Sequence, residues 1–202
     1  MKTRTLLYFG SFNPIHIGHT VIANYVIASG MADELWFVVS PQNPFKPAES
    51  LVSPNERLEM VEIAIEKSGL EERVSVCDVE LHLPTPSYTI QTLEALWTAY
   101  PEREFSILMG SDNFTCIEKW KDAQQILDRC AVYVYGRPGT PTVEIPHNLH
   151  NIHIIPNAPL LEISSSQLRQ LLTEGKYIPA LLPPGVHEFI KEHGLYRINS
   201  KH

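Results

Sequence analysis

Features that mark membrane, secreted and general nucleic-acid-binding proteins are missing from this sequence. It has no apolar run of 18 residues, and the short apolar run near its N-terminus breaks at Gly10 and Asn13, too early for a signal peptide. The net charge of -7 gives no obvious lysine- and arginine-rich face for a nucleic-acid backbone. We therefore expect a cytoplasmic protein with neither a membrane nor a nucleic-acid partner.

Cysteine is also scarce. The three cysteines, Cys77, Cys116 and Cys130, are scattered along the chain and form no CxxC pair. An odd number of isolated cysteines supports neither a disulfide framework nor a thiolate zinc site. We expect reduced thiols with a mostly structural role.

What the sequence has is a regular alternation of short apolar runs with longer amphipathic ones. Strands are predicted over residues 4–9, 34–40, 73–79, 104–110, 131–136 and 152–156, and helices over 17–29, 53–69, 88–100, 121–130, 162–176 and 183–196. This alternation predicts an α/β fold with a doubly wound, Rossmann-like parallel sheet and helices on both faces. We expect one domain over residues 1–202, with a small helical C-terminal subregion over about 156–202.

The stretch GSFNPIHIGH follows the first predicted strand, at the edge of the sheet where such folds bind ligands. Gly10 lets the backbone approach a ligand closely, and the helix predicted from Ile17 directs its free N–H groups into the same space. His16 and His19 add side-chain donors for phosphate oxygens. A surface turn with two solvated histidines is the alternative. A zinc site is disfavoured because metal-binding histidines on a helix are usually four residues apart.

A second anion site is predicted where a helix starts in the stretch EISSSQLRQLL. Residues 164–166 are serines that offer hydroxyl and backbone donors, and Arg169 lies one turn further on, where its guanidinium can bind a phosphate. On its own this pattern also fits an ordinary helix N-cap. Together with the two histidines it predicts two helix N-termini that face one cleft and suit a triphosphate.

Both stretches resemble motifs of the HxGH nucleotidyltransferases, which transfer a nucleotidyl group from a nucleoside triphosphate and release pyrophosphate. GSFNPIHIGH is similar to the signature G-x-F-D-P-x-H-x-G-H, with Asn13 in place of the aspartate. EISSSQLRQLL is similar to the motif I-S-S-T-x-x-R, with Ser166 in place of the threonine. The resemblance extends over nearly the whole chain, from Tyr8 to about Leu195.

The segments between these motifs resemble those of the nicotinate-nucleotide adenylyltransferases. Lys46 lies in a proline-rich segment similar to one of that family, with Phe45 where a histidine is common. The stretches PSYTIQTLEAL, LMGSDNFTCIEKW and YGRPG are also similar to family segments. The resemblance implies that Trp120 stacks on the pyridine ring and that Arg137 lies near the nucleotides.

The resemblance implies an adenylyltransferase that joins ATP and nicotinate mononucleotide to nicotinate adenine dinucleotide (deamido-NAD) and pyrophosphate in NAD biosynthesis. The implied mechanism is direct in-line attack of the mononucleotide 5'-phosphate on the α-phosphorus of ATP, with Mg²⁺ bound through the phosphates and not by the protein. The partners would be these small-molecule nucleotides. A homo-oligomer is left open.

The same resemblance assigns roles to individual residues. The implied catalytic residues, which hold the triphosphate, are His16, His19, Lys46 and Arg169. The implied ATP contacts are Gly10, Ser11, Phe12, Gly18, Gly110, Asp112, Ile163, Ser164, Ser165 and Ser166. The implied mononucleotide contacts are Ser87, Tyr88, Thr89, Thr92, Trp120 and Arg137.

Three alternatives stay open at this point. A sister adenylyltransferase would use nicotinamide mononucleotide or phosphopantetheine, although Trp120 and the SYTIQT segment argue against the latter. A non-catalytic nucleotide-binding module would bind ATP without releasing pyrophosphate. A truncated class I aminoacyl-tRNA synthetase would share the HIGH sequence, but this chain has no K-M-S-K-S segment.

Overall fold

The computed structural model describes residues 2–42, 52–140, 145 and 150–197, and this part of the chain is built around a sheet of six parallel strands. The strands are β1 (Thr3–Gly10), β2 (Glu34–Val39), β3 (Val74–Cys77), β4 (Arg103–Gly110), β5 (Ala131–Tyr135) and β6 (Ile152–Ile154). Their order in the sheet is β3-β2-β1-β4-β5-β6, the order of a Rossmann sheet. The predicted doubly wound α/β fold is confirmed.

Seven α-helices connect or follow the strands in the described residues. They are α1 (Ile17–Ala28), α2 (Pro54–Lys67), α3 (Thr89–Ala99), α4 (Ser111–Phe114), α5 (Ala123–Arg129), α6 (Ser165–Thr173) and α7 (Val186–Glu192). Short 3₁₀ turns occupy Val79–His82, Ile117–Lys119 and Pro179–Leu181. None of the helices in the described ranges has the length and apolar character needed to cross a membrane.

The start of α2 shows how local sequence sets these boundaries. Ser53 is the N-cap and Pro54 takes the first helical position, where no N–H is needed. The Ser53 hydroxyl accepts a hydrogen bond from the Glu56 N–H at 3.3 Å, and the Glu56 carboxylate accepts one from the Ser53 N–H at 3.2 Å. This reciprocal capping box satisfies two of the donors that a helix start leaves open.

Alternate residues of β1 pack into two separate cores. Leu6 and Tyr8 lie on the face of the sheet covered by α1, α2, α6 and α7, whereas Leu7 lies on the face covered by α3 and α5. The alternation follows from the period of two in a strand. The C-terminal helices α6 and α7 therefore share a core with the sheet.

The direction of winding reverses between the two central strands. The β1 strand pairs with both β2 and β4, so that Tyr8 lies opposite Phe37 on one side and Leu108 on the other. In open parallel sheets a crevice forms beyond the carboxyl ends of the strands at such a switch point. The loops after β1 and β4 form the candidate site.

Candidate active site

Two adjoining cavities open beyond the carboxyl ends of β1 and β4. The first, here called the histidine cavity, has a volume of about 270 Å³ and is lined by Tyr8, Phe9, Gly10, Ser11, Phe12, His16, His19, Asp112, Asn113, Tyr135, Arg137, Ser164, Ser165, Ser166 and Arg169. The second, the tryptophan cavity, has a volume of about 430 Å³ and includes Glu80, Ser87, Tyr88, Thr89, Lys119, Trp120 and Lys121 in its wall. Phe9, Gly10 and Asn113 line both.

The turn after β1 depends on glycine at its first position. Phe12 has a positive φ of 43°, and its ring is buried against Gly10. A Cβ atom added at Gly10 would lie 2.7 Å from the Phe12 ring, closer than such atoms approach. Gly10 therefore lets the chain fold back on itself at the edge of the histidine cavity.

The two histidines lie side by side at the start of α1. Their rings stack with centroids 3.7 Å apart and an angle of 24° between the planes. The His16 backbone N–H donates to Nδ1 of His19 at 3.2 Å. Because this nitrogen accepts, the neutral His19 ring carries its proton on Nε2.

His16 itself is buried, with 2% of its surface exposed. Burial, with a smaller contribution from the positive charge of Arg137, lowers the pKa of His16 to about 4. The ring is thus neutral at neutral pH. Its Nδ1 is buried with no hydrogen-bond partner among the described residues and faces Gly18, where an added Cβ would lie 3.0 Å away. Gly18 therefore leaves room for the His16 ring, although it does not line either cavity.

The N-terminus of α6 forms the opposite wall of the histidine cavity and is tied to the turn after β1. The Ser165 hydroxyl donates to the Pro14 carbonyl at 2.9 Å. Arg169 donates through Nη1 to the Asn13 carbonyl at 2.9 Å and through Nη2 to the Ser166 hydroxyl at 3.2 Å. These contacts join two segments about 150 residues apart and hold the two helix starts around one space.

The α6 start is capped in the same way as that of α2. The Ser164 hydroxyl accepts from the Gln167 N–H at 3.3 Å, and the Gln167 side-chain oxygen accepts from the Ser164 N–H at 3.0 Å. The Ser164 side chain is therefore occupied by its hydrogen bonds in the capping box. What α6 offers to the cavity is therefore its remaining backbone donors, the neighbouring serines and Arg169.

Asn13, which stands where the resembled motif has aspartate, is buried below the turn. Its side-chain oxygen accepts a hydrogen bond from the Tyr196 hydroxyl at 2.8 Å and one from the Val52 N–H at 3.3 Å. A carboxylate could accept the same bonds, and the amide accepts them without placing a charge in the interior. The residue connects the turn after β1 to the segment before α2 and to the C-terminal part of the chain.

Arg137 lies in the wall of the histidine cavity and not in that of the tryptophan cavity. Its backbone N–H donates to the Ser111 hydroxyl at 2.9 Å, and its Nε lies 3.8 Å from the Asp112 carboxylate. A Cβ added at Gly110 would lie 2.9 Å from Cγ of Arg137. Because Gly110 has no Cβ, Arg137 and Asp112 can lie close to it beside the cavity. Gly110 itself does not line the cavity.

Two tyrosines that sequence reasoning did not select also line the histidine cavity. The hydroxyls of Tyr8 and Tyr135 are 2.7 Å apart and share a hydrogen bond. Burial raises the pKa of both phenols, so they stay neutral. Both lie on strands that read as ordinary core, which is why their sequence context gave no signal.

The tryptophan cavity is built around the start of α3. Tyr88 precedes the helix without a side-chain cap, and Thr89 is its first residue, so backbone N–H groups there stay available to a ligand. Trp120 is half-buried in the same wall. Lys121 places its Nζ 4.8 Å from the centroid of the Tyr88 ring. The cavity thus combines an aromatic surface with backbone N–H donors and a lysine ammonium group.

A buried carboxylate in this cavity was missed by sequence reasoning. Glu80 is 2% exposed and accepts hydrogen bonds from the Ser87 hydroxyl at 2.7 Å and the Thr92 hydroxyl at 2.8 Å. Thr92, predicted to contact the mononucleotide, is fully buried and lies behind the cavity wall. Its visible role is to bind Glu80.

Arg57 was also missed as a site residue, and its side chain is fully buried in α2. The guanidinium donates to four backbone carbonyls, those of Val52 at 3.0 Å, Ser11 at 2.6 Å, Ser40 at 2.7 Å and Pro41 at 2.9 Å. Burial lowers its pKa. One side chain therefore holds the loops after β1 and β2 against the start of α2.

Most predicted site residues that the structure describes lie in the two cavities. The exceptions are Gly18, Gly110, Thr92 and Ile163, which line neither. Ile163 packs against the core on the α6 side of the sheet. Lys46 lies outside the described residues.

Comparisons with known proteins agree with this geometry. A family model described as cytidylyltransferase-like matches residues 7–171. A probable nicotinate-nucleotide adenylyltransferase of Flavobacterium johnsoniae is 42% identical over 192 residues, covering 95% of this chain and 97% of the relative. A relative of the same name from Bacteroides fragilis is 43% identical over 191 residues, covering 94% and 92%.

Two solved structures have the same fold. Both are of the nicotinic acid mononucleotide adenylyltransferase of Plasmodium falciparum, one complexed with NaAD and one with APC. Their TM-scores are 0.80 and 0.78 at 21% identity, and each covers 96% of this chain and 97% of its own. The chain belongs to the cytidylyltransferase-like family and, within it, to the nicotinate-nucleotide adenylyltransferases.

Proposed function

We propose that this protein joins ATP and nicotinate mononucleotide to give nicotinate adenine dinucleotide and pyrophosphate. The observation that carries the proposal is the shared wall of the two cavities, formed by Phe9, Gly10 and Asn113. A triphosphate bound in the histidine cavity and a mononucleotide bound in the tryptophan cavity would meet there. Family membership supports the same reaction.

The chemistry needs positioning and charge stabilisation more than proton transfer. The mononucleotide phosphate is ionised at neutral pH and can attack the α-phosphorus of ATP in line without a general base. His16, with its pKa of about 4, is a neutral donor or acceptor there and not a reserve of positive charge. Arg169 and Arg137 supply the permanent charge of the histidine cavity. Together with His19 and the start of α6, they would bind the negative charge that develops on the phosphates.

The tryptophan cavity suits the pyridine ring. Trp120 provides a flat aromatic surface for stacking with an electron-poor ring. The open start of α3 at Thr89 and the ammonium group of Lys121 would bind the nicotinate carboxylate. A carboxamide lacks that charge, which favours nicotinate over nicotinamide mononucleotide.

Magnesium is expected to enter with ATP as part of the substrate. Among the described residues no group of three histidine, cysteine or acidic side chains could hold a metal ion. Phosphate oxygens and water would hold the ion, which would neutralise phosphate charge. We keep Lys46 as a proposed triphosphate ligand.

The proposal also places the protein in the cytoplasm, with ATP and mononucleotide as partners. Burial raises the pKa of Cys77 to about 11 and of Cys130 to about 12, which keeps these thiols protonated. Cell fractionation tests the location. Light scattering tests whether the chain forms the homo-oligomer that the sequence leaves open.

The reaction is tested by following pyrophosphate release from ATP with nicotinate mononucleotide, nicotinamide mononucleotide or phosphopantetheine as the second substrate. We expect the highest kcat/KM with nicotinate mononucleotide. ATP binding without pyrophosphate release in all three assays would contradict catalysis and favour a nucleotide-binding module.

Replacing His19 by alanine tests the histidine cavity. Loss of one donor to the transition state lowers the rate about 10²- to 10³-fold. His153→Ala is the matched control, because His153 is an exposed histidine on β6 and lines neither cavity. A folded His19→Ala variant with the turnover of the control would contradict the assigned role.

A further inference from the structure

Glu80 places a carboxylate in the wall of the tryptophan cavity. It lies on the 3₁₀ turn after β3 and is almost completely buried. Burying a carboxylate is costly unless it is paired or serves a ligand. Its hydrogen-bond partners are two neutral hydroxyls, those of Ser87 and Thr92. Within the described ranges, no lysine, arginine or histidine forms an ion pair with it.

Two hydroxyl donors solvate a carboxylate but do not cancel its charge. This carboxylate lies in the wall of the cavity that also holds the Trp120 ring. Both features attract a cation, the carboxylate by its charge and the indole by its π-electrons. The ring nitrogen of a pyridine mononucleotide is bonded to the ribose and carries a permanent positive charge.

We propose that Glu80 is a specificity-determining residue that selects a positively charged aromatic ring in the tryptophan cavity. This inference rests on the proposed function and deepens it. Lys119 and Lys121 line the same cavity, and both are exposed. Their charges suit the ring carboxylate, whereas the buried carboxylate of Glu80 suits the ring nitrogen. The cavity thus matches the two opposite charges that a nicotinate ring carries.

The alternative is that Glu80 only fixes the segment from Ser87 to Thr92, whose residues Tyr88 and Thr89 line the cavity. Two substitutions separate the roles. Glu80→Gln keeps the size of the side chain and removes its charge. The amide oxygen still accepts from one of the two hydroxyls, and the NH2 group can donate to the other. Thr92→Val removes one of the hydrogen bonds that fix the segment, keeps the carboxylate and changes no residue that lines the cavity.

The measurement is the dissociation constant of nicotinamide mononucleotide and of its reduced dihydropyridine form, by calorimetry. These two ligands share the same substituents, and only the first has a charged ring. We expect wild type and Thr92→Val to prefer the charged ring. We expect Glu80→Gln to reduce this preference about tenfold, the effect of roughly 1.4 kcal/mol of lost attraction. The KM for ATP should stay within about twofold of wild type, because ATP is proposed to bind in the other cavity.

Two results would overturn the inference. One is an unchanged ring-charge preference in a Glu80→Gln variant that melts at the wild-type temperature. The other is an equal reduction of that preference in Thr92→Val, which would show that Glu80 acts only by fixing the segment. The binding measurement does not depend on turnover. Failure of wild type to release pyrophosphate with nicotinate mononucleotide would contradict the proposed function and leave the Glu80 test intact.

Discussion

Replacing Arg57 by methionine should destabilise the fold more than any surface substitution. The change keeps much of the hydrocarbon chain and removes all the donors that bind the carbonyls of Val52, Ser11, Ser40 and Pro41. Leaving a buried carbonyl unpaired costs about 1 to 3 kcal/mol. At the low end of that range, four unpaired carbonyls lower the unfolding free energy by about 4 kcal/mol. This is a large fraction of the unfolding free energy of a typical domain, which is about 5 to 15 kcal/mol.

Arg73→Met is a matched control for this experiment. Arg73 also donates to backbone carbonyls, those of Asp33 and Ala32 at 2.8 Å each, but it is exposed and lies at the opposite edge of the sheet. Water can replace its bonds, so we expect a loss of about 1 kcal/mol. The free energy of unfolding is measured by urea titration for both variants. A loss below about 1 kcal/mol for Arg57→Met, or one no larger than that of the control, would contradict the stabilising role of the four Arg57 hydrogen bonds.

Three further predictions follow from the site. Gly10→Ala should lower the unfolding free energy by about 1 to 3 kcal/mol, because the added methyl group contacts the Phe12 ring. Phe12→Leu in the same chain should restore part of the lost free energy. An unchanged urea midpoint in Gly10→Ala would contradict this contact. The pKa of His16 is about 4 in the folded protein, below the ordinary 6.5, so between these pH values the ring takes up a proton only on unfolding. The unfolding free energy should therefore fall by about 3 kcal/mol more in wild type than in His16→Asn as the pH drops from 7 to 4. Parallel curves of unfolding free energy against pH would contradict the burial effect. Trp120→Ala should raise the KM for nicotinate mononucleotide by about tenfold or more and should have little effect on the KM for ATP. The reason is that stacking on an aromatic ring contributes about 1 to 3 kcal/mol to binding. Equal changes in the two KM values would contradict a stacking role.

Features encoded by neighbouring residues could be predicted from the sequence. The capping box of Ser53 and Glu56, the turn glycine at Gly10 and the serines before Arg169 act within a few residues of each other, and the structure shows the corresponding helix starts and turn. The alternation of apolar runs was enough for the parallel sheet, because the connections between parallel strands need helices.

Features that depend on distant contacts could not be predicted in the same way. Arg57 reads as an ordinary helix residue, and its four acceptors become visible only when the loops after β1 and β2 meet it in space. Glu80 lies in a short 3₁₀ turn with no periodic pattern, and its burial depends on the packing of α3. The family resemblance implies that Arg137 lies near the nucleotides, but which cavity it lines is decided by the carboxyl end of β5.

The proposed reaction requires the two adjoining cavities to bring a triphosphate and a pyridine mononucleotide together for transfer. The most direct measurement is pyrophosphate release by the purified protein with ATP, Mg²⁺ and nicotinate mononucleotide, with the dinucleotide product identified by mass spectrometry. We expect equal amounts of pyrophosphate and nicotinate adenine dinucleotide, and a loss of both in His19→Ala but not in His153→Ala. ATP turnover that yields no dinucleotide, or dinucleotide formation unaffected by His19→Ala, would contradict this transfer.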